Sequence, residues 1–175
     1  MGTRCIGVTL VECLVVMALM AICAGLALPA WRDALRAQRV RAASEALEDG
    51  LRQARLLALR RGSFVRMCPG GEAGDCRGAG RWEQGWALLG ESGAASARAP
   101  LLGVGPAWPG VRIDGDAALA RGAGFDAGGW PRRPGGALLM GRWRVCPQGG
   151  GAGRELVMSA AGRVRSAAVV CPPPP

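Results

Sequence analysis

The 175 residues of the chain include no lysine, no histidine and no tyrosine. Without histidine, we expect neither a zinc centre with imidazole ligands nor catalysis by a histidine-activated nucleophile. The sequence shows no paired-carboxylate arrangement and no serine or cysteine nucleophile arrangement. We therefore predict a protein that is not an enzyme and that carries no metal and no cofactor.

Positive charge is carried by arginine alone, since all 22 basic residues are Arg, against 13 acids and a net charge of +9. A GC-rich genome is the plain explanation for this usage. Because every cation is an arginine, every positive charge is a planar guanidinium whose N–H groups match phosphate or carboxylate oxygens. The charge is uneven: residues 130–175 hold seven arginines and one acid, whereas residues 62–129 hold six arginines and seven acids.

The longest apolar run extends from Leu10 to Leu28, 19 residues with one charged side chain, Glu12. As a helix it would span roughly 28 Å, close to the thickness of a bilayer core. An unpaired carboxylate there costs about 2.5–3.5 kcal/mol, so Glu12 needs a partner. Two interpretations remain open: a secretory signal peptide cut after the run, or a segment cut before it, after Gly7, leaving Val8 as the amino terminus.

The segment Gly7-Val8-Thr9-Leu10-Val11-Glu12 resembles the prepilin cleavage motif of type IV pilins and type II secretion pseudopilins. The resemblance implies that prepilin peptidase removes residues 1–7 and that the new amino group of Val8 is methylated. It also implies that Glu12 pairs with the amino terminus of a neighbouring subunit during assembly. Val8 stands where the family usually has Phe.

Beyond Pro29 the pattern becomes that of an amphipathic helix. Apolar residues recur at spacings of three and four, which places them on one helix face: Val40, Ala43, Leu47, Leu51, Ala54 and Ala58. The charged residues between them are interpreted as a solvated face. We expect the helix to end near Arg61, with Gly62 as the stop signal.

Short strands and glycine-rich turns are predicted after the helix. The candidate strands are residues 63–68, 82–89 and 137–146, a last hairpin of 154–159 and 162–166, and weaker segments at 111–114 and 124–126. The prediction is an α+β, pilin-like fold, with a long N-terminal helix packed on a mostly antiparallel β-sheet. We divide the chain into a leader (1–7), a transmembrane assembly helix (8–29), its amphipathic continuation (30–61), a periplasmic β-rich domain (62–171) and a disordered tail (172–175).

Four of the seven cysteines lie in the predicted exported domain, which suggests disulfides. Four cysteines allow three pairings. We favour Cys68–Cys76 and Cys146–Cys171, because each pair brackets one loop-rich segment. Cys5 leaves with the leader, and Cys13 and Cys23 are expected to act as small apolar residues in the membrane run.

Several downstream features resemble the GspH/FimT group of minor pilins and pseudopilins. They are the helix end from Arg55 to Gly62, the Cys68-Pro69 strand end, the Trp82 to Trp86 segment and the segment from Arg154 to Arg165. In FimT-type minor pilins, a GRxR motif at the last position is associated with DNA binding in natural transformation. Here that motif is Gly162-Arg163-Val164-Arg165.

A strand would place Arg163 and Arg165 on one side, about 6.6–6.8 Å apart. Each guanidinium could then form bidentate hydrogen bonds with a phosphate. Five further arginines are predicted to assist: Arg142, Arg144, Arg154, Arg132 and Arg133. The alternative is an ordinary solvated strand face. For Trp130 and Trp143, packing in the core or at its edge is favoured over stacking on bases. No base-reading element is evident, so any DNA binding should be driven by the backbone phosphates and sensitive to salt.

Two functions therefore compete. The first is a minor pilin of a type IV pilus that binds DNA non-specifically through its basic carboxyl-terminal face. The second is a purely structural GspH-like pseudopilin of a type II secretion system. Both imply other pilin or pseudopilin subunits and prepilin peptidase as partners. Both also imply a single-pass inner-membrane protein with a periplasmic domain, which then enters a filament.

Overall fold

The computed structural model describes residues 10–70, 81–91, 99–133 and 135–173, apart from the side chain of Leu26. One long helix, α1 (Leu10–Arg61), is followed by eight strands. The chain divides into two compact units, Met1–Arg36 and Ala37–Pro175, which are described separately.

The first unit contains the amino-terminal part of α1. Its large apolar side chains are exposed, among them Leu14, Val15, Leu19 and Ile22. This part of α1 is long and apolar enough to cross a membrane, by length and composition. Exposed apolar side chains along a whole helix are expected where lipid or neighbouring helices cover them.

In the second unit α1 buries the face that the periodicity predicts. All six residues of that face, from Val40 to Ala58, are at most 3% exposed. Gly50 lies on the same side, and a Cβ built there would lie 3.0 Å from Met67 Cε. Alanine and glycine on this face therefore let the sheets approach the helix closely. The helix ends as predicted, at Arg61, followed by Gly62 with a φ of 61°.

The strands form two antiparallel four-stranded sheets rather than the one sheet that was expected. The first has the order β3-β2-β1-β5, built from β1 (Val65–Pro69), β2 (Trp86–Gly90), β3 (Leu101–Gly105) and β5 (Ala123–Phe125). The second has the order β4-β6-β7-β8, built from β4 (Val111–Gly115), β6 (Gly141–Pro147), β7 (Gly151–Met158) and β8 (Val164–Cys171). Both contribute to one core with α1.

Several predicted strand limits were wrong. Trp82–Gln84 is a 3₁₀-helix, and β2 begins only after Gly85, whose φ is 96°. The strand predicted at 137–146 begins at Gly141, and β3 was not predicted. The last hairpin is longer than expected, since β7 and β8 each have eight residues.

A disulfide joins Cys146 in β6 to Cys171 at the end of β8, with 5.8 Å between the Cα atoms. Cys68 also takes part in a disulfide. Its expected partner, Cys76, lies outside the described residues.

Candidate functional site

The turn between β7 and β8 carries the GRxR segment. Ser159 N donates to Arg163 O at 3.0 Å, Gly162 N donates to Ser159 O at 2.9 Å, and Arg163 N donates to Ser159 Oγ at 3.2 Å. Gly162 has a φ of 74°, a conformation that residues with a Cβ rarely adopt. The serine and the glycine thus build a tight turn that places Arg163 just before β8.

Arg163 lies beside the helix, one residue before β8. It lines a crevice of about 220 Å³ together with Leu51, Arg52 and Arg55 of α1. Arg55 Nη1 donates to Gly162 O at 3.3 Å, so the helix is tied to the turn. Arg163 stands one residue before β8, and its carbonyl accepts from Ser159 N, so the hairpin register continues to it. Whether Arg163 and Arg165 act together stays a prediction.

Arg165 lies on the exposed face of the second sheet. The strand register aligns it with Val157 of β7, which in turn pairs with Arg142 of β6. Alternation along β6 puts Arg144 on this same face, two residues from Arg142. Arg142, Arg144 and Arg165 thus share one side of the sheet, which we call the basic sheet face.

Glu155 partly neutralises the basic sheet face. Its Oε1 lies 3.5 Å from Arg144 Nη2 and 3.9 Å from Arg142 Nη1. Among the described residues, Arg163 and Arg165 have no carboxylate within ion-pair distance. The two motif arginines are consequently available for an external anion, as are Arg133 and Arg154, which also have no ion pair among the described residues.

Arg132 and Arg133 lie in the loop after β5. This loop lines a pocket of about 460 Å³ whose other residues include Phe64 and Arg66. Asp126 anchors the loop, since its Oδ1 accepts from Trp130 N at 2.9 Å and from Gly128 N at 2.9 Å. Its Oδ2 accepts from Arg132 Nε at 3.2 Å.

Burial has the largest single effect and raises the pKa of Asp126, but the hydrogen bonds from Trp130, Arg132 and Gly128 and the charge of Arg132 together outweigh it, so the pKa lies below its ordinary value. Asp126 is therefore ionised at neutral pH and Arg132 is already paired.

The last auxiliary arginine, Arg154, lies opposite Val145 in the strand register. Its side chain is therefore on the same side of the sheet as the buried Leu156. Arg154 is thus not on the basic sheet face.

Two arginines near these surfaces were missed as site candidates. Arg55 was interpreted as part of a solvated helix face, and Arg66 carried no signal, since it lies in an ordinary short strand. The structure places both beside the predicted basic residues. Arg66 Nε is buried and has no hydrogen-bond partner.

The predicted assembly residues are described only in part. Gly7 and Val8 lie outside the described residues, whereas Glu12 lies in the first turn of α1.

Across the described residues, no cluster of histidine, cysteine, aspartate and glutamate side chains resembles a metal site.

Two family models match the chain. The prokaryotic N-terminal methylation motif matches residues 3–28, and the type II transport protein GspH matches residues 43–162. No curated protein matches the sequence significantly.

The fold is similar to that of the type IV minor pilin FimU from Pseudomonas aeruginosa in two crystal forms. The TM-scores are 0.57 and 0.56, at 20% identity, covering 73% of this chain and 87% and 91% of the FimU chains. The fold, the methylation motif and a match over more than half of the chain agree. The chain belongs to the GspH family, and it is a minor pilin or pseudopilin built for assembly with other pilin subunits and for processing by prepilin peptidase.

Proposed function

We propose that this protein is a minor pilin of a type IV pilus that binds DNA non-specifically for natural transformation. The observation that carries the proposal is the pair of motif arginines, Arg163 and Arg165. Both are exposed, and neither forms an ion pair with a carboxylate of the described residues, although Glu48 lines the same crevice as Arg163. Guanidinium groups of this kind form charge-assisted, bidentate hydrogen bonds with phosphate.

The surroundings support a surface that contacts the DNA backbone. Arg163 and Arg55 meet at the hairpin turn, while Arg165 and Arg142 lie on the basic sheet face. No helix or ribbon suited to the major groove accompanies these groups in the described residues. Binding should therefore be independent of sequence and dominated by counterion release.

The membrane segment and the leader belong to the same proposal. Removal of residues 1–7 would leave Val8 as a methylated amino terminus, and Glu12 would pair with the amino terminus of a neighbouring subunit. The protein would be stored as a single-pass inner-membrane protein with its β-rich domain in the periplasm. Incorporation into the pilus would then present the basic hairpin to DNA.

The test is a DNA titration of the full-length protein in a non-ionic detergent, with a labelled duplex at low and moderate salt. About three phosphate contacts predict that affinity falls about 40-fold between about 50 mM and about 200 mM salt. The variant Arg163→Ala/Arg165→Ala should bind weakly and show a shallower salt slope. The matched control is Arg81→Ala/Arg112→Ala, which removes the same charge from two arginines that pair with Glu83 and Asp114.

Equal losses in both double variants would show that only net charge matters, and the assigned site would be wrong. Absence of binding by the unaltered protein would favour the second candidate, a structural pseudopilin of a type II secretion system. The name of the matching family supports that candidate. In that case the arginine-rich end reflects genome composition.

A further inference from the structure

Trp130 differs from the other tryptophan considered for base stacking. Trp143 is 0% exposed and packs edge-to-face against Trp82, with ring centroids 5.6 Å apart. Trp130 is 50% exposed, in the loop between β5 and the Arg132 bridge. The structure therefore separates a core tryptophan from one presented at the surface.

The backbone of the Trp130 loop is held firmly. Asp126 N donates to Trp130 O at 3.0 Å, and Gly129 N donates to Asp126 O at 2.8 Å. Together with the two bonds that Asp126 Oδ1 accepts, these contacts close the loop on itself. An exposed side chain on a closed loop can bind a partner without a large loss of backbone entropy.

Half of the surface of Trp130 is exposed, and its indole ring lies beside Gly128. Among the described residues, the only aromatic pair is Trp82 with Trp143, and no arginine stacks on an aromatic ring. A ring face without a stacking partner is available to a base, and base–aromatic stacking tolerates any sequence.

Basic groups lie on both sides of this loop. Toward the hairpin, a Cβ built on Gly129 would lie 3.2 Å from Arg55 Nε, and one built on Gly162 would lie 3.0 Å from Arg55 Nη1. The Trp130 loop is thus continuous with the GRxR turn through Arg55. On the other side, Arg132 leads into the 460 Å³ pocket that Arg66 and Arg133 line.

One hydrogen-bond donor of a residue that lines this pocket has no acceptor. Arg66 Nε is buried without a hydrogen-bond partner, and an unpaired buried donor is costly. Asp126 is already occupied by its loop bonds and by Arg132. Arg66 and Arg133 line this pocket together with Glu91, so an oxyanion there would meet guanidinium groups beside one further carboxylate.

We propose that Trp130 stacks on a base of single-stranded DNA while flanking phosphates bind Arg55 and Arg163 on one side and Arg66 and Arg133 on the other. This inference rests on the proposed DNA binding and adds a substrate class, single strands in preference to duplexes. In a duplex every base is already stacked. Extracting one costs free energy, which stacking on Trp130 would have to offset. A single strand offers its bases without that cost.

The experiment compares a labelled oligothymidylate of about 16 nucleotides with a duplex of the same length. Both are titrated against the full-length protein in non-ionic detergent at one salt concentration. The variants are Trp130→Ala and Trp130→Phe, and the control is Met140→Ala, an apolar side chain that is also exposed. Thermal unfolding of each variant establishes that it is folded.

The Trp130→Ala variant should lose about fivefold or more in affinity for the single strand, with duplex affinity within about twofold of the unaltered protein. Trp130→Phe should retain most of the single-strand affinity, and Met140→Ala should match the unaltered protein. An equal loss on both DNAs, or no loss on either, overturns the stacking role.

The two proposals fail in different ways. If duplex binding depends on Arg163 and Arg165 but Trp130→Ala has no selective effect, only the single-strand inference is wrong. If the unaltered protein binds neither DNA, DNA binding itself is wrong. A Trp130→Ala variant that binds both DNAs normally but fails to enter pili would identify Trp130 as a subunit contact, which also overturns the inference.

Discussion

Gly162 illustrates how much of this surface depends on single residues. It is the glycine of the GRxR segment, and its φ of 74° lies in the left-handed region. A Cβ there would also lie 3.3 Å from Pro131 Cγ. The glycine thus shapes the turn and lets Arg55 and the Trp130 loop pack against it.

Replacing Gly162 with alanine should lower the free energy of unfolding by about 1–3 kcal/mol, because the left-handed conformation is strained for a residue with a Cβ. Urea denaturation followed by tryptophan fluorescence measures the change. The control is Gly149→Ala, a turn position with open space and no positive φ, expected within about 0.5 kcal/mol of the unaltered protein. Similar losses at both positions would contradict the argument.

The sequence alone could not show which arginine side chains are free to bind an external anion. Arg132, Arg144 and Arg163 are the same residue type in similar basic surroundings. The structure pairs Arg132 with Asp126 and Arg144 with Glu155, and it leaves Arg163 beside Arg55. Which guanidinium remains available depends on carboxylates that are distant in sequence or on another strand.

Among the elements, β8 is the edge strand of the second sheet and is exposed along most of its length. Its burial is slight, so it depends on pairing with β7 and on the disulfide at its end. That disulfide links β8 to β6 across the intervening strand, near Gly153, where a Cβ would collide with Cys171 Sγ. The covalent link therefore secures the strand that carries Arg165.

Changing Cys146 and Cys171 to serine should cost about 3 kcal/mol of stability, the value for a loop of this size in the chain-entropy account. Amide hydrogen exchange should become faster in β8 first, because that strand has the least burial. The matched control is Cys13→Ser/Cys23→Ser, since neither residue is in a disulfide. Unchanged exchange in β8 would show that pairing with β7 alone holds the strand.

Strand limits show what periodicity misses. The 82–89 segment was predicted as one strand. The positive φ of Gly85 breaks it, and a Cβ there would lie 2.6 Å from Gly105 O, a contact set by β3. β3 itself, Leu-Leu-Gly-Val-Gly, is a partly exposed edge strand without clear alternation.

At the scale of the whole molecule, the two parts of α1 differ in whether their apolar side chains are buried. The part of α1 before Arg36 exposes its apolar side chains, whereas the part after Ala37 buries one face against the sheets. Helix α1 extends from Leu10 to Arg61 and therefore contributes residues to both units. In the proposed function, removal of residues 1–7 would give the first unit a new amino terminus.

Replacing Gly7 with valine should prevent leader removal, because the prepilin cleavage motif ends in this glycine. Intact mass measurement of the protein from a host with a prepilin peptidase should show residues 1–7 retained. The control, Gly2→Val, lies away from the cleaved bond and should be processed to the same mature mass as the unaltered chain. A normal mature mass for Gly7→Val would place the cleavage elsewhere.

Local patterns determined the long helix, its buried face and the position of the basic hairpin, because each depends on residues within a few positions of one another. The family also followed from contiguous motifs at both ends of the chain. The tertiary structure alone decided the split into two sheets, the exposure of Trp130 against the burial of Trp143, and the placement of Arg55 and Arg66 beside the predicted arginines. These depend on contacts between segments far apart in sequence, and no local periodicity encodes them.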